Sequence, residues 1–156
     1  MGFLAQMKEW LRSDQRGSGD ILSDLIAAHR DELRAAAQLR AHAERVPYPQ
    51  AAVTLHQLAD AEDRHAQALS EQIRALGGSP QGVVPTIYEG LNHWERMAED
   101  FRMADNKRRR YLEQAVHWDI EYPREAELLS RIAAEESANR RLLEDLASKA
   151  DSHAKD

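Results

Sequence analysis

Leu58-Ala59-Asp60-Ala61-Glu62-Asp63-Arg64-His65-Ala66-Gln67-Ala68-Leu69 decides the fold of this chain. Leu58, Glu62, His65 and Leu69 follow one another at steps of four, three and four, which keeps them on one side of an α-helix. The outer two are oily, so the face is made to be buried. A carboxylate on such a face is costly unless it is paired or holds a cation.

The same device recurs along the chain. A first stripe reads Leu22, Leu25, His29, Glu32, Ala36, Leu39, Ala43, Val46, and the second extends from Leu55 through Glu62 and His65 to Leu76. A third reads Leu91, Trp94, Ala98, Phe101, Asp105, Arg108, Leu112, Ala115, and a fourth Leu129, Ile132, Glu136, Asn139, Leu143, Leu146, Ala150. Each is interrupted once, near its middle, by two polar residues. Four amphipathic helices with one polar layer at a shared depth predict an all-α four-helix bundle.

Punctuation sets the boundaries. Gly17-Ser18-Gly19 separates an N-terminal segment (1–19) from the bundle (20–150), with Asp20 a candidate N-cap, and residues 151–156 read as a frayed tail. Pro47-Tyr48-Pro49 and Tyr122-Pro123 turn the chain inside two hairpins. The third helix is expected from about Thr86. The connection Gly77–Pro85 is long enough, at roughly 30 Å extended, to cross the bundle and leave the second and third helices parallel. An offset of 74 residues superposes Tyr48-Pro49, Leu55, Leu58, Glu62, His65 and Leu69 on Tyr122-Pro123, Leu129, Ile132, Glu136, Asn139 and Leu143, an internal repeat. Glu32 and Glu62 lie almost symmetrically about one turn, Asp105 and Glu136 about the other. All four carboxylates are therefore expected to converge at mid-bundle.

Composition narrows the chemistry. The 156 residues contain no cysteine, which excludes disulfides, iron–sulfur clusters and thiolate metal sites. A net charge of −6 argues against a nucleic-acid surface, and Lys107-Arg108-Arg109-Arg110 reads as a solvated helix face with only Arg108 turned inward. No apolar run can span a bilayer, so no integral membrane segment is expected. Nothing suggests export, which leaves the cytoplasm as the expected compartment. Phe3, Leu4, Met7, Trp10 and Leu11 give the N-terminal segment a short apolar face, expected to form a short helix that packs on the bundle or a neighbouring subunit.

Glu62-x-x-His65 places a carboxylate and an imidazole one turn apart, able to hold one metal ion jointly. Together with Glu32-Leu-Arg-Ala35-Ala-Ala-Gln-Leu39-Arg-Ala-His-Ala43 it resembles the ferritin-like superfamily, particularly its rubrerythrin and bacterioferritin branch, over residues 20–150. The resemblance implies two metals held by Glu, Glu-x-x-His, Glu and Glu-x-x-His on successive helices. Carried over, one site is complete here: Glu32 and His65 terminal, Glu62 and Glu136 bridging. The other retains only Asp105 and Asn139, and Arg108 stands where it could put a guanidinium in place of the second ion. The expectation is a degenerate centre holding one iron or manganese ion, with zinc a further candidate. Iron oxidation or peroxide reduction is the implied activity, and any reduction would need an external electron donor. The competing reading is a metal-free helical scaffold or interaction protein in which the layer is a salt-bridge network, with His29 and His65 protonated.

His29 is expected to be a hydrogen-bonding core residue and the weaker candidate ligand. His42, His56, His93, His117 and His153 fall off the stripes and are expected at the surface, whereas Trp94, Phe101, Tyr111 and Trp118 are expected in the core. A dimer is the expected assembly; no fifth helix is legible after residue 150, which argues against a 24-subunit shell.

Overall fold

The structure, a computed structural model, describes residues 17–150 together with Gly2 and His153, with side chains from Ile21 onward. Residues 3–16, on which the expected N-terminal helix falls, therefore lie outside the described residues, as does most of the tail. Four helices make up the fold: α1 (Gly17–Arg45), α2 (Pro49–Ala75), α3 (His93–Trp118) and α4 (Pro123–Lys149). Among the described residues there is no strand. Helix α1 begins at Gly17, ahead of the expected Asp20.

The two short turns are where proline allows them. Pro49 and Pro123 each open a helix, where the missing N–H costs nothing and the fixed φ is already helical. Helix α2 stops differently. Gly77 takes φ +83, a left-handed backbone that disfavours a side chain, and the Gly77 and Gly78 amides return to the Arg74 and Ile73 carbonyls.

Two apolar clusters fill the ends of the bundle. At one end Ile21 and Leu25 of α1 meet Leu69 and Ile73 of α2, Tyr111 and Trp118 of α3, and Ala126 and Leu129 of α4. At the other, Leu39 and Ala43 join Leu55 and Leu58, Met97 and Ala104, and Leu143. The first end thus gathers the start of α1, the ends of α2 and α3, and the start of α4, so α2 and α3 run parallel. Two helical hairpins joined by a long crossover give ferritin-like topology.

Two expectations for α3 fail. It starts at His93, seven residues after Thr86, because Asn92 caps it: the Asn92 side chain accepts from the Glu95 amide, and Glu95 accepts from the Leu91 amide. Its buried face is also rotated from the expected stripe. Met97, Asp100, Ala104, Lys107, Tyr111, Ala115 and Trp118 face the interior, whereas Leu91, Trp94 and Leu112 are exposed. His42 and His93, expected outside, are buried; His56, His117 and His153 are exposed.

Candidate metal centre

Between the apolar ends lies the polar layer. Glu32 comes from α1, Glu62 and His65 from α2, and Glu136 from α4; one donor atom from each lies within 4.8 Å of all the others. Glu32 and Glu136 have no exposed surface, and Glu62 and His65 have almost none. The helical register alone brings them to one height, as their near-symmetry about the first turn implies for Glu32 and Glu62.

The cation among them is Lys107. Its ammonium donates to Glu32 Oε2 at 3.0 Å, Glu62 Oε2 at 2.6 Å and Glu136 Oε1 at 3.0 Å. Three N–H groups on one nitrogen thus serve three carboxylates from three helices. Burial alone would lower the Lys107 pKa, but the charges of Glu32, Glu62 and Glu136 outweigh it and hold the group well above its ordinary range. Tyr111, one turn along α3, donates its hydroxyl to Glu32 Oε1 at 2.7 Å. Burial, then the Glu32 charge, raises the phenol well above its ordinary pKa.

His65 closes the layer. Its Nδ1 stands 3.5 Å from Glu32 Oε2, 3.7 Å from Glu62 Oε2 and 3.4 Å from Glu136 Oε1, the three oxygens that Lys107 also addresses. Ligands about 2.0–2.2 Å from one small cation stand roughly 3–3.6 Å apart, so this spacing is that of donors able to share an ion. Burial would lower the imidazole pKa, but Glu136, Glu32 and Glu62 raise it to about 12. On its other side His65 Nε2 is bonded to Glu135, a half-exposed carboxylate that fixes the ring with Nδ1 toward the layer. Burial raises Glu32 and the neighbouring Glu62 adds to this, against Lys107; at Glu136 the cations Lys107 and His65 overcome burial and lower the pKa.

Arg108 does not enter the layer. It pairs with Asp105 at 3.2 Å on the partly exposed flank of α3, where Arg109 and Arg140 hold the same carboxylate at 3.3 and 3.1 Å. Asp105 is thus also outside the donor group. The reason is the rotation of α3, which exchanges Arg108 for Lys107 as the inward cation. Asn139 is buried one turn from Glu136, and its Nδ2 has no hydrogen-bond partner. His29 is buried but takes no part in the donor group; burial, then the Arg74 charge, lowers its pKa against a backbone hydrogen bond with Gln81 and the charge of Glu32.

The donor set therefore fits a divalent ion in chemistry. Three carboxylates against the Lys107 ammonium leave two negative charges, those one divalent ion would neutralise with His65 neutral. Two atoms agree with a further ligand: His65 Nδ1 and Glu136 Oε2 are buried without a hydrogen-bond partner, so the ammonium does not exhaust the layer.

A second buried cluster, nearer the other end, pins the crossover. His42 bridges Asp100 Oδ2 and the Tyr88 carbonyl, each at 2.6 Å, while Gln38 donates to Asp100 Oδ1 at 2.7 Å and accepts from the Tyr88 amide at 3.0 Å. A void of about 10 Å³, room for roughly one water, touches both Asp100 and Lys107. Lys107, Glu135, His42 and Asp100 were missed from sequence as site residues; Tyr111 was expected in the core, where it lies, but not as a partner of Glu32.

Known structures share this architecture. The dodecameric thioferritin of Bacteroides fragilis, a bacterioferritin-related protein, superposes with a TM-score of 0.76 at 19% identity over 84% of this chain and 86% of that one. Desulfovibrio desulfuricans bacterioferritin, described with a diiron site, gives 0.75 at 25% identity over 84% and 80%. Mycobacterium tuberculosis bacterioferritin gives 0.73 at 23% identity over 83% and 84%. No protein-family model and no curated protein matches the sequence. The chain has the ferritin-like four-helix-bundle fold. No described helix is long and apolar enough to cross a membrane.

Proposed function

We propose that this chain is a ferritin-like metal-binding protein that holds a single divalent ion, iron by its likeness to bacterioferritins, beside a permanent organic cation. Glu32, Glu62, His65 Nδ1 and Glu136 would hold the ion, and Lys107 would stand in for a second one. The observation that carries this reading is the convergence of those four donors on one point, with two negative charges left over once His65 gives up its proton to become a ligand. Bound iron supplies one-electron exchange. Tyr111 keeps Glu32 oriented, Glu135 keeps Nδ1 aimed inward, and the two apolar clusters pack the bundle on either side of the layer. Lys107 would take the place of one ion of a pair, so two-electron chemistry on a pair is not expected, and any turnover would draw on an external electron donor.

A second reading rests on the same ammonium. With Lys107 and a protonated His65 both charged, the layer can exist without metal as a salt-bridge network that holds the four helices in register. The bundle would then act as a scaffold.

Anaerobic titration with ferrous ion, followed by elemental analysis, separates the two. The metal reading expects about one iron per chain, lost in Glu62→Ala, and a rise in stability of about 2.7 kcal/mol at a hundredfold excess over Kd. Absence of uptake by the wild-type chain, with stability indifferent to chelator, leaves the scaffold.

A further inference from the structure

On the outer side of the α3–α4 hairpin, Leu112, Val116 and Ile120 stand at intervals of four residues with 41%, 81% and 93% of their surface exposed. Leu112 and Val116 line a groove of about 820 Å³ with the buried Ala115 and Ala126 beneath and the exposed Pro123 at its edge, and Ile120 stands just beyond it. Isolated exposed apolar residues are ordinary, but a ladder of three beside a groove of small residues is a surface shaped to be covered.

We propose that the groove is covered by the chain's own N-terminal segment, Phe3–Leu11, docked as an amphipathic helix. Two observations point to this occupant. Phe3, Leu4, Met7, Trp10 and Leu11 fall at helical spacing and would present one oily edge about 12 Å long, the length of the ladder. The segment also starts from the correct end. Ile21 packs in the same cluster as Trp118 and Ala126, and Trp118 Nε1 donates to Asp24 at 2.9 Å, so the beginning of α1 is fastened to the end of α3 where the groove opens. Residues 12–16 can span up to roughly 17 Å, enough to round α3.

A chain without cysteine makes the test clean. Met7→Cys is combined in the full chain with Val116→Cys or, as a control, with Glu71→Cys, an exposed position near the same end of the bundle on α2. Under mild oxidation the first pair is expected to form an intrachain disulfide at least about tenfold faster than the control, by the higher effective concentration of a docked segment. Equal rates would mean that the segment visits both faces alike and would overturn the proposal. A disulfide predominantly between chains would assign the groove to a second copy and overturn it as well. The readout is independent of metal content, so failure of the metal reading leaves this test intact.

Discussion

Lys107 Nζ lies 2.6 Å from Glu62 Oε2, the shortest of three contacts from an ammonium buried in the middle of the bundle. Glu62 is the carboxylate of the Glu-x-x-His motif, so the side chain that the sequence offers most plainly to a metal is already addressed by a cation of the protein. Lys107→Met removes that cation with little change in volume. The metal-free variant is expected to lose about 3–5 kcal/mol of unfolding free energy, the cost of orphaning buried charge. Urea denaturation in chelator measures it. A loss under 1 kcal/mol would mean that the carboxylates take up protons cheaply.

Arg108→Ala is the matched control. Arg108 shares Asp105 with Arg109 and Arg140 on a partly exposed flank, so its removal is expected to cost no more than about 0.5–1 kcal/mol. The same denaturation experiment ranks the two variants. An Arg108→Ala cost equal to that of Lys107→Met would place Arg108 in the layer and the rotation of α3 in error.

The contrast shows which parts of the site were legible. On α1, α2 and α4 one stripe outscores every other, and the structure buries it, Leu25, Leu55 and Leu129 included. On α3 two stripes compete. The more oily one holds Leu91, Trp94, Phe101 and Leu112; the buried one holds Asp100 and Lys107. What favours the polar stripe is supplied by other helices: His42 and Gln38 for Asp100, three glutamates for Lys107, Glu32 for Tyr111, Asp24 for Trp118. Partners so distant in sequence leave no periodic trace in the helix that needs them. Counting apolar residues therefore chose the wrong face.

The missing half of a two-ion centre can be rebuilt if Lys107 stands in for the second ion. Lys107→Glu with Asn139→His replaces a cation and a poor ligand by two donors on the faces that already meet the layer. Iron uptake is expected to rise from about one to about two ions per chain, read by elemental analysis. Uptake unchanged from wild type would show that Lys107 does not occupy the second position.

Glu135 is the outer partner of His65 Nε2. Glu135→Gln keeps the shape but removes the charge that orients the ring, so ferrous affinity is expected to fall about 10- to 100-fold. Stoichiometry should stay as it was. Isothermal titration separates the two quantities; an unchanged Kd would leave Glu135 a surface contact without influence on the layer.

His29 carries the acid response that can be isolated. Burial lowers its pKa below the ordinary 6.5, so between those two values the unfolded chain binds a proton that the folded one refuses. Unfolding free energy then falls as pH drops through 6.5 and continues to fall until the folded-state pKa is reached. Replacing the imidazole by Leu removes the group from both states. The difference in stability between wild type and His29→Leu should therefore shift in favour of the variant as pH is lowered from about 7.5 to 5, followed by thermal melts at each pH. A difference that stays constant would mean His29 titrates alike in both states. A shift in favour of wild type would mean the folded protein prefers the imidazolium, held by Glu32, over the neutral ring that burial selects.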